Sequence, residues 1–183
     1  MATQRRRRLP GDPTPRQELE RALRVDHAGE YGAMRIYAGQ LAVLGASPSG
    51  PAIRHMAAQE QRHLDTFAQL LAERRVRPTL LSPFWHIAGY ALGAATALMG
   101  EKAAMACTVA VEEVIDRHYR EQAEKLGRDE RPLRDTIEKF RADELHHRDS
   151  GLAHGAEQAP AYPLLTAAIK AGSRLAIWCA ERV

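Results

Sequence analysis

The sequence carries one four-residue pattern twice, Glu60-x-x-His63 and Glu144-x-x-His147. Around these copies, apolar residues recur at helical spacing and carboxylates interrupt them. Leu23, His27, Glu30, Met34, Tyr37, Leu41 and Leu44 form one such stripe. Met105, Thr108, Glu112, Ile115 and Tyr119 form a second, and Leu133, Ile137, Phe140, Glu144, His147 and Gly151 a third. Glu30 precedes Glu60 by 30 residues, and Glu112 precedes Glu144 by 32. A carboxylate turned into a core is costly unless it is paired, protonated or bound to metal. The fold must therefore bring four inward glutamates to a common partner. Glu113 shares a side with Ala106, Arg117 and Arg120 and is expected to face water.

Loop-like stretches at 45–51, 75–83, 125–132 and 155–163 are rich in Gly, Pro and polar residues. They leave helical segments at about 16–44, 52–75, 83–100, 102–126, 132–153 and 163–182. No segment alternates strictly, aromatics are only 5%, and alanine is abundant, so the chain reads as all-α. On a helix, residues i and i+3 project from one face and can grip one ion. Two such grips and two single glutamates supply four carboxylates and two imidazoles. This is the donor set of a two-metal carboxylate site in a ferritin-like four-helix bundle. Mixed oxygen and nitrogen donors without thiolate suit iron or manganese better than structural zinc. The expected metal ligands are Glu30, Glu60, His63, Glu112, Glu144 and His147. Asp26 and Asp143 are expected either to orient a ligand histidine or to be solvated at the surface. Tyr37 and Tyr119 read first as core residues, with Tyr119 the better placed to touch a substrate. His27, His118, His146 and His154 read as satisfied or exposed histidines.

Net charge is +3 with a sequence pI of 9.1. Much of the basic excess is the run Arg5–Arg8, so residues 1–15 are expected to form a solvated tail before one domain at 16–183, and no nucleic-acid partner is read. Cys107 and Cys179 belong to no Cys-x-x-Cys pair and read as small apolar residues in a reducing compartment. From Pro78 to Gly100 there is no Asp, Glu, Lys or Arg. A membrane span there would put the two halves of the metal site on opposite sides of a bilayer. The stretch suits instead the crossover between the second and third core helices of the bundle. With the segment at 163–182, which adds Leu165, Ile169, Leu175, Ile177 and Trp178 beside Lys170, Arg174 and Arg182, it is expected to contact a membrane surface without crossing it. Packing on the bundle or an oligomer interface is the alternative.

The blocks RVDHAGEYGAMRIYAGQLAVLG (24–45), RVRPTLLSPFWHIAGYALGAATALMG (75–100), AMACTVAVEEVIDRHY (104–119) and APAYPLLTAAIKAGSRLAIWCAERV (159–183) resemble the demethoxyubiquinone hydroxylase family. Met34 stands where that family is expected to have Asn, and the 125–132 loop looks short. The resemblance implies the same six ligands for two iron ions and places Tyr119, with His118, near a quinone. It also implies a lipid-binding accessory protein as partner. The implied reaction is ring hydroxylation of a polyprenyl demethoxyubiquinol in ubiquinone biosynthesis. One atom of O2 enters the ring and the other leaves as water. No dinucleotide fingerprint is visible, so the reductant, for example NADH, must act from outside or through the quinone. The expected location is peripheral, on the cytoplasmic face of a bacterial inner membrane or the matrix face of a mitochondrial one. The alternatives are a ferritin- or rubrerythrin-like iron or peroxide protein, and a non-enzymatic membrane-bound helical scaffold.

Overall fold

The computed structural model describes Leu9 and residues 11–183; the arginine run at 5–8 and most of the expected tail lie outside the described residues. Among the described residues six helices follow one another: α1 (Pro15–Leu44), α2 (Gly50–Arg74), α3 (Ser82–Leu98), α4 (Glu101–Lys125), α5 (Arg131–Ala153) and α6 (Tyr162–Ala180). Single 3-10 turns at Arg128–Glu130 and Ala156–Gln158 join the last three. No strand occurs among the described residues.

The helix ends are set by local chemistry. Thr14 caps α1 with a reciprocal bond to Gln17, and Pro15 opens the helix. Proline also stands in the first turn of α2, α3, α5 and α6, where its missing N–H costs nothing. Gly100, at φ 110, breaks the chain between α3 and α4 in a conformation that disfavours any side chain. At the far end of α4, Arg134 donates to the Ala123 carbonyl in the last turn and to the Leu126 and Gly127 carbonyls just beyond it.

The core bundle consists of α1, α2, α4 and α5. Contacts between α1 and α4 run in opposite directions along the two chains. Asp26 meets Gln122, Tyr37 meets Glu112, and Gln40 donates to the Ala104 carbonyl. Contacts between α2 and α5 are likewise antiparallel, with Gln59 opposite His147 and His63 opposite Asp143. α2 and α4 therefore run in the same direction, and α3 returns the chain between them alongside α1. The result is an all-α ferritin-like bundle with a crossover helix and an additional C-terminal helix.

The crossover lies unusually close to α1. A Cβ on Gly39 or Gly93 would run into the backbone of Tyr90 or Ile36. Glycine at both contacts permits this approach.

α4 is more enclosed than its one-sided stripe predicts. Every residue from Ala103 to Glu112 is buried, including Ala106. α5 covers one side, while α6 and the 156–158 turn cover another. Small residues on that second side let the backbones approach. Glu113 faces outward, as expected, but it pairs with Lys170 of α6, so Lys170 is engaged within the protein rather than left for an anionic surface.

No helix among the described residues is long and apolar enough to cross a membrane. α3 and α6 pack on α1 and α4 and make no contact with each other. Their outer faces expose Phe84, Ile87 and Leu98, and Leu164, Leu175 and Trp178.

Candidate metal centre

Four helices each turn one glutamate to the bundle axis. Glu30 comes from α1, Glu60 from α2, Glu112 from α4 and Glu144 from α5. All four are 0 or 1% exposed, and His63 and His147 lie beside them at 2 and 0%. The donor atoms form two overlapping groups. Glu30, Glu60, His63 and Glu144 make one; Glu60, Glu112, Glu144 and His147 make the other. Within each group the donor atoms lie within 4.8 Å of one another, and Glu60 and Glu144 belong to both. Glu60 and Glu144 are thus the residues that would serve both members of a two-metal group.

The donor atoms are also unspent. Glu30 Oε2, both oxygens of Glu60 and of Glu144, Glu112 Oε2, and Nδ1 of both histidines are buried without a hydrogen-bond partner. Orphaned buried acceptors in such number call for a cation. Four carboxylates carry the charge that two divalent ions neutralise. The residues present fit a two-metal group.

Without metal, protons must take its place. Burial and the charges of Glu144 and its neighbours push Glu60 well above the usual carboxylate range. Glu112 is pushed up in the same way, by burial and by Glu144, and burial raises Glu144. Glu30 is the exception. Burial pushes it up, but the neighbouring His63 and Glu60 more than offset this and hold it low. Burial opposes charge on His63 as well, yet the neighbouring Glu144 and Glu30 carboxylates raise it to about 10. Burial lowers His147. Crowding thus pushes Glu60, Glu112 and Glu144 toward the protonated form while Glu30 is held toward the anion.

The surrounding residues repeat across the two halves. Tyr119 on α4 donates its hydroxyl to Glu30 on α1, and Tyr37 on α1 donates to Glu112 Oε1 on α4 at 2.6 Å. Each tyrosine lies seven residues after one glutamate and holds the other half's glutamate. Burial and nearby carboxylates raise both phenols well above 10, which keeps them as donors. His63 Nε2 meets Asp143 Oδ2 at 3.1 Å, and His147 Nε2 meets Gln59 Oε1 at 3.2 Å. Each partner is the residue immediately before a glutamate of Glu-x-x-His. Phe140 stacks on His63 with ring centroids 3.9 Å apart and fixes its plane.

Asp143 lies where the sequence suggested. Asp26 does not: it touches neither ligand histidine, but accepts from His118 Nε2 at 3.1 Å and Gln122 Nε2 at 2.7 Å. Burial raises the Asp26 carboxyl, and His118 and Gln122 oppose that rise. Tyr37 and Gln59 are the residues that sequence reasoning missed. Their signals were present, in the second Glu-x6-Tyr spacing and in the position before Glu60. Tyr37 read only as core, although it is both core and hydrogen-bond donor. His27, His146 and His154 stand outside both donor groups.

Beside the cluster lies a cavity of about 270 Å³ in the slot between α3 and α6, floored by α1 and α4. Trp85, Leu92, Ile115 and Ile177 give it apolar walls. Its ionisable lining groups are Asp26, His118 and Tyr119. Gly29, Gly32 and Gly172 also line it, and at each the space a side chain would occupy is open. Tyr119 therefore separates cavity from carboxylates, with its ring on one side and its hydroxyl on Glu30.

The family model for the ubiquinone biosynthesis protein COQ7 matches residues 17–180. A 3-demethoxyubiquinol 3-hydroxylase of Rhodospirillum rubrum is 64% identical over 177 residues, covering 96% of this chain and 84% of the relative. A mitochondrial NADPH-dependent 3-demethoxyubiquinone 3-hydroxylase of Homo sapiens is 52% identical over 176 residues, covering 94% and 81%. A mitochondrial 5-demethoxyubiquinone hydroxylase of Saccharomyces cerevisiae is 43% identical over 182 residues, covering 90% and 78%. The buried Glu/His cluster, the crossover bundle and the family match covering nearly the whole chain lead to one assignment: this chain belongs to the COQ7 family of ubiquinone biosynthesis proteins.

Proposed function

We propose that this chain hydroxylates the ring of a polyprenyl demethoxyubiquinol or demethoxyubiquinone in ubiquinone biosynthesis, using two iron ions, O2 and an external reductant. The observation that carries this reading is the adjacency of two overlapping Glu/His donor groups to an apolar cavity of about 270 Å³. Glu30, Glu60, Glu112, Glu144, His63 and His147 are the proposed ligands. Bound iron supplies O2 activation at this position, which side chains alone do not provide.

The protein's own contribution is placement, dryness and proton control. The apolar walls admit a quinone ring and exclude bulk water. His118, held by Asp26, is the polar group on the wall available to a ring hydroxyl or carbonyl, and the Asp26 contact fixes the imidazole's orientation. Tyr119 closes the cluster end of the cavity and keeps Glu30 in place. His118 and Tyr119 are the proposed catalytic residues.

The slot between α3 and α6 opens among exposed apolar side chains, which suits a substrate whose prenyl tail stays in lipid. On this reading the chain is a peripheral membrane protein that touches the bilayer through about 78–100 and 163–182. It works in one domain at 16–183, with residues 1–15 as a basic tail. It sits on the cytoplasmic face of a bacterial inner membrane or the matrix face of a mitochondrial one. A lipid-binding accessory protein as partner and self-association through the same face belong to the same reading. Relatives named as NADPH-dependent support a reduced nicotinamide dinucleotide as the reductant.

The test is conversion of a demethoxyubiquinol by iron-loaded protein with O2 and reduced nicotinamide. The expected product carries one new ring oxygen derived from 18O2. Absence of that product, or unchanged turnover in Glu60→Ala, would overturn the assignment.

A further inference from the structure

The two halves of the centre place their histidines alike, and the partners of those histidines differ in one respect. Both histidines turn Nδ1 to the carboxylates. His63 Nδ1 lies 3.1 Å from Glu144 and 3.4 Å from Glu30, while His147 Nδ1 lies 3.0 Å from Glu60 and 3.3 Å from Glu144. Both turn Nε2 to a side-chain oxygen on the opposite helix, at 3.1 and 3.2 Å. A carboxylate and an amide oxygen can only accept there, so each Nε2 carries a proton, and Nδ1 is the atom left to face a metal ion once it has given up any proton of its own. The partners differ in charge. His63 donates to a carboxylate, Asp143, and His147 donates to a neutral amide, Gln59.

An anionic partner draws the Nε2 proton and leaves Nδ1 a stronger donor; a neutral carbonyl does so less. Both partners come from the residue before Glu-x-x-His, so the difference is one of side-chain type at equivalent places. We infer, on the reading that this centre holds two metal ions, that its two positions are unequal by construction. The position containing His63, Glu30, Glu60 and Glu144, backed by Asp143, binds a divalent cation more tightly than the position containing His147 and Glu112, backed by Gln59. Asp143 and Gln59 are positioning residues: they act on the metal through the histidines.

Mn(II) tests this without turnover. Crystals of the full chain are grown with one equivalent of Mn(II), and anomalous scattering gives the occupancy of each position. Such outer partners change metal affinity by about 10- to 100-fold. With one equivalent shared between two positions, the occupancy ratio is the square root of the affinity ratio. The expected occupancy is therefore about threefold to tenfold higher beside His63. Asp143→Asn should bring the two positions close to equal. Gln59→Glu, which gives the second histidine an anionic partner too, should do the same from the other side and keeps the test open if Asp143→Asn fails to fold. Equal occupancy in the unmodified chain, a fuller His147 position, or a ratio unmoved by Gln59→Glu would overturn the inference. Absence of Mn(II) from both positions would instead remove the two-metal reading beneath it.

Discussion

At the scale of single residues, the centre is a balance of buried charge that only cations or protons can close. His63 shows the consequence of leaving metal out. Its folded value of about 10 stands above its ordinary 6.5. A group raised in this way stabilises the folded state fully below its unfolded value, and the contribution is lost as pH rises through the folded one. The raised carboxyls of Glu60 and Glu112 push in the same direction. Metal-free protein is therefore predicted to lose thermal stability progressively from about pH 6.5 to pH 10, and metal-loaded protein to change far less. Melting curves across that range with and without chelator check this, and a chelated protein that grows more stable with rising pH would contradict it. The tyrosines give a second prediction. Tyr37→Phe removes the donor to Glu112 Oε1 and leaves another buried acceptor unsatisfied, which costs about 1–3 kcal/mol in the metal-free protein. Chelated Tyr37→Phe should unfold at lower denaturant than the chelated unmodified chain, and equal midpoints would refute the role given to Tyr37.

At the scale of helices, what positions the site is how closely each pair approaches. α3 touches α1 through Gly39 and Gly93, where a Cβ would strike backbone. Gly93→Ala must separate the two helices and should cost about 1–3 kcal/mol, read from denaturant unfolding; an unchanged midpoint would show that the approach is not tight. In the cavity, Gly29 and Gly32 face open space. Gly32→Leu should fill that space, leave stability nearly unchanged and raise KM for a polyprenyl substrate severalfold; unaltered kinetics would place the substrate elsewhere. The helices themselves were legible in the sequence, because punctuation by proline and glycine coincides with their real ends. Periodicity marked Glu30, Glu112, Glu144 and His147, since a glutamate on an apolar stripe is a local anomaly, and the repeated Glu-x-x-His pattern marked Glu60 and His63. It did not reveal that Tyr37 and Tyr119 each reach across to the other half, or that Asp26 turns to His118. Those contacts depend on the register of α1 against α4, which no single helix encodes. Nor did it reveal the cavity, which is made by missing side chains.

At the scale of the whole molecule, the chain is two similar helix pairs joined by an apolar crossover, with the metal-binding candidates at their common axis and a greasy slot on one flank. The two helices that flank the slot expose Ile87 of α3 at 71% and Leu175 of α6 at 61%. Exposure of this kind on both helices flanking one cavity fits a protein that lies against lipid. Replacing Ile87 and Leu175 by Asp removes apolar contact worth about 1.5–3 kcal/mol at each position. Co-flotation with vesicles should then weaken at least tenfold with the fold intact, and undiminished flotation would assign that face another role. The claim on which the rest depends is that four helices meet around a pair of ions. Iron content and Mössbauer spectra of anaerobically reconstituted protein test it most directly. The account predicts two iron ions per chain in a coupled pair once oxidised, with the pair lost in both Glu60→Ala and Glu144→Ala because each removes a shared carboxylate. A chain that takes up no stoichiometric iron, or one that keeps a coupled pair after either substitution, would contradict it.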